Sequence, residues 1–348
     1  MLETPETTGT QLLKPSRNGG GIKTNSVPIK PSWQTELDLF KTQFCILSNS
    51  ELSMIQFEQN KANILSGEHP EGSLTEVPRV DSITEKQFLN DFLKTSKPVI
   101  LNQGARNWKA LQTWSFDYFR SFESDCSITL EEGNVMQETT SFRTVSFQEY
   151  LNEIQSPKST DGKTPYLSVF ELFKQFPHLS EDVDFSIMSK HKVRNHLTGW
   201  IGPGGTVTGY HIDWADNIFA QVVGQKFVKL VSWDQRSNMY PSRKYDSNTL
   251  MSSVNADDFD SNRHPNFSNV QAQYAFLNPG DMMFIPRGCW HYVRSLSPSI
   301  SVNNFGTGWM SFLRDKPREY AKRYLHRLGL YGKECTCHKI VDGRRVAR

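Results

Sequence analysis

Cysteine is scarce in this sequence of 348 residues. The five cysteines are odd in number and scattered: Cys45, Cys126, Cys289, Cys335 and Cys337. This pattern favours a reducing intracellular compartment over a framework of disulfides. No apolar run reaches the roughly 18 residues that a membrane helix needs, and the first residues contain no apolar stretch of the signal-peptide type. We therefore expect an intracellular, soluble protein without a membrane partner, in the cytoplasm or the nucleus.

An excess of charge of one sign is also missing. The formal net charge is +2, so no overall field favours binding to nucleic acid or to a membrane. The local exception is residues 314–348, which hold eleven Lys or Arg against four Asp or Glu. A solvated terminal helix is the common explanation of such a segment. The alternative is a basic tail that contacts nucleic acid or an acidic partner.

Aromatic residues and hydrophobic periodicity are rare at the start of the chain. Residues 1–33 are rich in Thr, Ser, Gly, Pro and Lys and are predicted to be a disordered segment. Residues 34–76 combine helical spacing with a polar break, which indicates a helical lead-in and linker. The compact domain is predicted over residues 77–312, and a basic C-terminal helix and tail over residues 313–348.

The centre of the chain has the pattern of a β-protein. From His196 onward the hydrophobic period is close to 2, and Gly, Pro, Asn and Asp separate the segments. The candidate strands are 196–201, 207–211, 217–223, 226–231, 272–278, 281–285, 290–295 and 299–305. Residues 241–269 are predicted to be a large polar surface insertion. We expect an all-β core with helical flanks, specifically a double-stranded β-helix or cupin-like jelly roll.

A candidate metal site combines His211, Asp213 and His291. His211 and Asp213 are two residues apart on a predicted strand, so both side chains point to one face. This pair alone is a weak signal. His291 follows a Pro279-Gly280-Asp281 turn and can face back across a β-barrel. Two histidines and one carboxylate on one face form the facial triad of non-haem Fe(II) oxygenases, whereas zinc sites usually add Cys or a third His.

Lys226 is the candidate for holding an anion. It lies on the predicted strand after His211, within an apolar segment, and an inward-facing lysine there is costly unless an anion meets it. The alternative is an exposed strand residue. Lys229 follows three residues later and is predicted to face the other side, toward solvent.

Three segments of the sequence resemble the Jumonji-C (JmjC) family. These are Trp200-Ile-Gly-Pro-Gly-Gly-Thr-Val-Thr208-Gly-Tyr-His211-Ile-Asp213, Asn217-Ile-Phe-Ala-Gln-Val-Val-Gly-Gln-Lys226 and Leu277-Asn-Pro-Gly-Asp-Met-Met-Phe-Ile-Pro-Arg-Gly-Cys-Trp-His291-Tyr-Val. The resemblance extends from about residue 77 to 309 and is strongest to the small hydroxylase-type subgroup. That subgroup is related to factor inhibiting hypoxia-inducible factor and to the JmjC arginyl hydroxylase.

The resemblance implies a role for each matching position. His211, Asp213 and His291 match the iron ligands, and Lys226 matches the residue that pairs with the distal carboxylate of 2-oxoglutarate. The remaining matches lie near the cosubstrate or the site: Thr208, Tyr166, Asn217, Asn303 and Trp200. One departure is Asn303-Asn-Phe305, where relatives often have Phe-Trp-Trp or Asn-Phe-Trp. This departure concerns the wall of the cosubstrate or substrate site.

The resemblance therefore implies a dioxygenase that uses Fe(II), 2-oxoglutarate and O2 and releases succinate and CO2. The expected reaction is hydroxylation of a C–H bond, with a protein side chain as substrate. The alternatives are N-methyl-lysine demethylation, hydroxylation of a modified tRNA base, and a non-catalytic cupin-like binding module.

The C-terminal segment adds two further hypotheses. A helix from Arg318 to Leu328 is predicted, with Tyr320, Tyr324 and Leu328 on one face. Such a stripe must be covered by its own domain or by a second subunit in a homodimer. Residues 335–338, Cys-Thr-Cys-His, contain metal-binding side chains, but one compact cluster does not complete a zinc site.

Overall fold

The computed structural model describes residues 49–124, 126–133, 141–154, 164–246, 249–332, 334–335, 338–341 and 344–347. The chain divides into two compact units, Met1–Gln59 and Asn60–Arg348. The predicted disordered segment 1–33 lies outside the described residues. The domain limits predicted from the sequence stay predictions.

Eight α-helices are described. They are α1 (Asn49–Ser66), α2 (Glu85–Gln87), α3 (Ala110–Thr113), α4 (Phe116–Arg120), α5 (Phe147–Ile154), α6 (Leu172–Gln175), α7 (Ser186–Ser189) and α8 (Trp309–Arg327). A π-helix at Phe88–Leu93 continues α2, and three 3-10 helices are Pro177–Asp182, Trp233–Gln235 and Pro265–Asn269. The Thr84 side chain caps α2 by accepting a hydrogen bond from the Gln87 backbone N–H. Within the described residues, none of these helices is long and apolar enough to cross a membrane.

Seventeen strands are described. They are β1 (Ser73–Glu76), β2 (Arg79–Val80), β3 (Val99–Leu101), β4 (Ser127–Glu132), β5 (Ser141–Ser146), β6 (Pro165–Phe170), β7 (Arg194–Gly202), β8 (Val207–Asp213), β9 (Asp216–Val223), β10 (Lys226–Val231), β11 (Thr249–Met251), β12 (Gln271–Leu277), β13 (Met282–Ile285), β14 (Trp290–Ser295), β15 (Ser299–Thr307), β16 (His338–Val341) and β17 (Arg344–Ala347). The eight strands predicted from the sequence all form, with ends that differ by at most two residues.

The strands form two large sheets with many crossovers. The six-stranded sheet has the order β1-β12-β10-β14-β8-β11, and the nine-stranded sheet has the order β2-β3-β13-β9-β15-β7-β6-β4-β5. Apolar side chains from both sheets meet in one cluster, for example Phe219 and Met283 with Val228. Facing sheets of this kind confirm the predicted jelly roll.

Helices cover the outer face of the nine-stranded sheet. Met282 and Phe284 alternate with the inward-facing Met283 on β13 and pack outward into a second cluster. Phe88 from the π-helix contacts Phe284 edge-to-face, with ring centroids 5.3 Å apart. The helical flanks therefore bury the outer face of the nine-stranded sheet, while its inner face meets the six-stranded sheet.

Three expectations are corrected by the structure. Lys229 is not exposed to solvent but buried beside Glu71, because residues near β1 cover that face of the sheet. The C-terminal helix begins at Trp309 rather than Arg318 and continues through Pro317. The insertion 241–269 is not wholly polar surface, since β11 joins the sheet beside β8 and Phe267 is buried.

Candidate active site

Two neighbouring strands bring the predicted metal ligands together. His211 and Asp213 lie on β8, and His291 on β14 pairs directly with His211 in the antiparallel register. The imidazole centroids are 4.0 Å apart, and the Nε2 atom of His291 is 3.4 Å from Oδ2 of Asp213. One ligand atom from each residue lies within 4.8 Å of the others. Within the described part of the chain, this is the one cluster of three or more side chains that could hold a metal ion.

Hydrogen bonds orient both imidazoles. Nδ1 of His211 donates to the Gly209 carbonyl oxygen at 2.9 Å, and Nδ1 of His291 donates to the Cys289 carbonyl oxygen at 3.1 Å. A carbonyl oxygen can only accept, so these bonds place the proton on Nδ1 and leave Nε2 free to ligate.

Burial and the local charges favour the ligating forms of the side chains. Burial, together with the nearby His291, lowers the pKa of His211 to about 4, which keeps the imidazole neutral. Burial alone would raise the pKa of Asp213, but the neighbouring imidazoles of His291 and His211 outweigh burial and hold it below its usual value. Two imidazole nitrogens and a carboxylate form the donor set that suits Fe(II).

Lys226 lies in the same cavity as the three candidate ligands. Its side chain is 1% exposed, and Nζ donates hydrogen bonds to the hydroxyls of Tyr166 and Ser301, each at 3.0 Å. The Phe219 ring lies 5.2 Å from Nζ. No carboxylate pairs with Lys226 among the described residues, and burial lowers the pKa of Lys226 to about 7. A buried cation with two hydroxyl partners and no counter-charge favours an anionic ligand.

The remaining residues named by the resemblance line this cavity as well: Thr208, Tyr166, Asn217, Asn303 and Trp200. Nδ2 of Asn303 donates to Oδ1 of Asn217 at 2.9 Å. Oδ1 of Asn303 and Nε1 of Trp200 are buried without a hydrogen-bond partner in the described structure. Unpaired polar atoms in a cavity are positions where a bound ligand completes the hydrogen bonding.

An irregularity in β8 turns Thr208 toward the cavity. The β14 segment from His291 to Val293 is matched on β8 by the longer segment from His211 to Thr208. The extra residue on β8 is a β-bulge, which changes the strict alternation of side chains. Thr208 and His211 therefore reach the same cavity, although an uninterrupted strand would place them on opposite faces.

Sequence reasoning missed two residues of the site: Ser301 accepts a hydrogen bond from Lys226, and Glu131 lines the cavity. Ser301, a partner of Lys226, lies two positions before Asn303 on β15. Residues two apart on a strand share a face, so this spacing could have predicted that Ser301 lies on the same side as Asn303. Glu131 lies on β4; its Oε2 atom is buried without a partner, and burial raises the pKa of Glu131 to about 7. Nothing in the local sequence distinguishes Glu131 from an ordinary charged strand residue.

The cavity has a volume of about 1170 Å³ and several walls. β4, β5 and β6 contribute Glu131, Phe142 and Val169, and α8 contributes Glu319 and Tyr320. Cys335 also lines the cavity, whereas Cys337 lies outside the described residues. The breadth of this space exceeds what a small keto acid alone requires, which leaves room for part of a larger substrate.

Comparisons with known proteins agree with this geometry. The Cupin-like domain family matches residues 85–305. Lysine-specific demethylase 8 of Danio rerio is 31% identical over 265 residues, 74% of this chain and 64% of the relative. Jumonji C domain-containing protein 5 of Drosophila melanogaster is 28% identical over 239 residues, 66% of this chain and 59% of the relative.

A relative with another kind of name also matches. The tRNA wybutosine-synthesizing protein 5 of Homo sapiens is 26% identical over 266 residues, which is 71% of this chain and 82% of the relative. The chain covers less than two thirds of the length of the fish and fly relatives, at 64% and 59%.

Proposed function

This chain belongs to the cupin-like JmjC family of iron- and 2-oxoglutarate-dependent oxidoreductases, and from that membership we propose that it hydroxylates a C–H bond of a protein side chain. When bound, Fe(II) and 2-oxoglutarate supply the oxidation with O2, and the cosubstrate leaves as succinate and CO2. The chain's own residues hold the metal, orient the cosubstrate and keep water from the reacting C–H bond.

The unpaired cation of Lys226 is the observation that carries the proposal. A triad of two histidines and one aspartate also occurs in other metal sites, but Lys226 adds a buried positive charge in the same cavity. A dicarboxylate that chelates the metal at one end needs such a charge at the other end. We assign Lys226, with the hydroxyls of Tyr166 and Ser301, to the distal carboxylate.

The cavity walls favour a side chain that carries N–H donors as the substrate. Glu131 offers a buried carboxylate oxygen without a partner. Glu171 and Glu319, which are ion-paired with Lys174 and Lys316, lie at the same cavity. These acceptors suit an amide, an amine or a guanidinium better than an apolar group. We place the substrate side chain between the β4–β6 wall and α8.

Succinate release and substrate mass test the proposed reaction. Purified protein with Fe(II), 2-oxoglutarate and a denatured proteome digest is expected to release succinate and to add one oxygen atom to particular peptides. A protein that binds Fe(II) and 2-oxoglutarate but releases no succinate with any digest would support the non-catalytic binding module instead.

Demethylation is the second candidate reaction, because the Danio rerio relative is named a lysine-specific demethylase. Hydroxylation of an N-methyl group leads to loss of formaldehyde. Release of formaldehyde together with loss of a methyl group from a methyl-lysine peptide would favour demethylation. A stable gain of one oxygen atom favours the hydroxylase.

A tRNA base is the third candidate substrate, which the name of the human relative and the basic residues 314–348 both suggest. Binding to tRNA through such a tail would weaken steeply as salt increases, since phosphate contacts release counterions. Deletion of residues 331–348 would then abolish tRNA binding. Turnover of a peptide substrate that does not depend on salt concentration would favour a protein side chain over a tRNA base as the substrate.

The pKa of Lys226 predicts how 2-oxoglutarate affinity depends on pH. Burial lowers the pKa of Lys226 to about 7, and the cosubstrate carboxylate binds the ammonium form. Below that pH the free protein already holds the proton. Above it, binding must take up a proton, so the apparent Kd is expected to rise about tenfold for each pH unit. Calorimetric titration with 2-oxoglutarate in buffers of different ionisation enthalpy measures both the affinity and the proton uptake. An apparent Kd of the parent that does not change with pH would contradict this assignment. Lys226→Met is the control, and its apparent Kd is expected not to change with pH.

A homodimer through α8 is proposed for the apolar stripe. Tyr320, Tyr324 and Leu328 are 59%, 64% and 54% exposed, and Trp309, Met310 and Leu313 extend the exposed apolar surface along the helix. Exposed apolar surface of this extent is rare on a monomer and indicates an interface.

Charges placed on this stripe are expected to separate the dimer. The double variant Tyr324→Glu and Leu328→Glu should halve the mass of the parent in light scattering at micromolar concentration, because burying two carboxylates in an apolar seam is costly. Arg318→Glu with Lys322→Glu is the matched control on another side of α8 and should leave the mass unchanged. A monomeric parent, or a dimer that keeps its mass with both stripe charges, would contradict the proposed seam.

A further inference from the structure

A buried polar cluster lies directly behind the candidate metal ligands. It consists of Tyr210 on β8, Tyr292 on β14, Lys229 on β10, and Glu71, which precedes β1. Lys229 pairs with Tyr292 in the strand register, and the next pair is Leu230 with His291. Because side chains alternate along a strand, the cluster occupies the outer face of the sheet while the histidines occupy the inner face.

Glu71 bridges the strands of this cluster. Its carboxylate accepts hydrogen bonds from Nζ of Lys229 at 2.8 and 2.9 Å and from the Tyr210 hydroxyl at 2.8 Å. The Glu71 side chain is fully buried and that of Lys229 is 6% exposed. A buried carboxylate is thus bonded to β8 and β10 at once, across the β14 strand that lies between them in the sheet.

The backbone around Glu71 packs closely against neighbouring segments. β1 pairs in parallel with β12 at the sheet edge, and Gly72 lies against the 3-10 helix at Pro265–Asn269. A Cβ atom on Gly72 would lie 2.2 Å from the carbonyl oxygen of Ser268, so only glycine permits this approach. The close contact holds Glu71 over the outer face.

The cluster is one peptide unit away from both histidine ligands. Tyr210 precedes His211, Tyr292 follows His291, and the two tyrosine rings are 5.7 Å apart. The Tyr292 hydroxyl donates to Asp257 at 2.7 Å. The bulge in β8 lies at this place, where the regular ladder of hydrogen bonds is interrupted and no longer determines the strand position by itself.

We propose that Glu71 is a positioning residue for the metal site: by bonding Tyr210 and Lys229 from behind, it holds the bulged β8 segment against β14 so that His211 and His291 converge. The proposal rests on the metal site of the proposed function. It assigns a role in that site to a residue beside the edge strand β1, which does not line the cavity.

Co(II) is a suitable probe, because it binds the same donor sets as Fe(II) and its visible spectrum reports ligand geometry. Glu71→Gln is expected to weaken Co(II) binding about tenfold, the lower end of the effect of residues that orient metal ligands, and to change the spectrum of the bound ion. Tyr210→Phe, which removes one bond of the cluster, should shift both measurements in the same direction by less. Glu76→Gln is the matched control, since Glu76 is exposed on the same segment, and should bind Co(II) as the parent does.

A double variant separates positioning from stability. Glu71→Met with Lys229→Met removes both charges together, which avoids an unpaired buried charge but does not restore the bond to Tyr210. A weaker, spectrally altered Co(II) site in this folded double variant supports the proposal. If Glu71→Gln or the double variant binds Co(II) with the same affinity and spectrum as the parent, the proposal is overturned, even if the Tm of the variant is lower. Loss of Co(II) binding in His211→Ala would show that the bound ion occupies the candidate metal site. A parent protein that binds no Co(II) would refute that site and not the role of Glu71.

Discussion

His211→Ala and Asp213→Ala are each expected to abolish 2-oxoglutarate turnover and to remove most Fe(II) binding. Three protein ligands hold the metal in a facial arrangement, and losing one breaks that geometry. No further cluster of three metal-binding side chains occurs among the described residues, so no second site of this kind is expected to retain the metal. Metal content after dialysis and succinate release under saturating 2-oxoglutarate measure the two effects.

Folding of these variants needs its own control. His178 and Asp258 are exposed, so His178→Ala and Asp258→Ala make the same chemical changes away from the cavity and should keep full turnover. Circular dichroism and thermal unfolding identify variants that fail to fold. Undiminished turnover in folded His211→Ala or Asp213→Ala would refute the ligand assignment.

Lys226→Met is expected to raise the requirement for 2-oxoglutarate by one to two decades while Fe(II) binding is spared. A charge-assisted bond to a buried carboxylate contributes about 1.5–3 kcal/mol, and methionine is an unbranched side chain of similar shape that lacks the charged terminal nitrogen. The apparent KM for 2-oxoglutarate in succinate release, and the Kd from titration of the metal-loaded protein, measure the change. Lys190→Met is the matched control at an exposed lysine.

The stability of Lys226→Met distinguishes a ligand-binding lysine from a structural one. Burial lowers the pKa of Lys226 from 10.5 to about 7, so between these values the unfolded chain holds a proton that the folded chain lacks. The ligand-free parent should therefore gain stability as the pH rises through that window, and the variant should lose this dependence without a lower Tm. A variant that binds 2-oxoglutarate as tightly as the parent would make Lys226 a structural residue.

The strand pattern was predictable because it depends on local alternation. Segments such as 207–211 and 226–231 have a period of 2 and are bounded by Gly, Pro or Asp, and they became β8 and β10 with nearly the same ends. The start of α8 was harder to predict from the sequence. Pro317 usually marks a helix boundary, but the helix continues through it to Trp309, and only the packing of the whole chain overrides that local preference.

The outcomes for Lys226 and Lys229 show where local reasoning stops. Both lie on β10 three residues apart, and alternation correctly placed them on opposite faces. Alternation does not say what covers a face. Lys229 was expected in solvent, and the carboxylate that meets it belongs to Glu71, which is distant in sequence.

The sequence alone determined the strands, the spacing His211-x-Asp213 and the candidate partner His291, because these follow from the period of a strand and from the chemistry of metal ligands. Only the tertiary structure decided which groups surround them. The bulge that turns Thr208 into the cavity depends on how β8 pairs with β14. The partners of Lys226 come from β6 and β15, since strands far apart in sequence become neighbours only when the sheets close around a common interior.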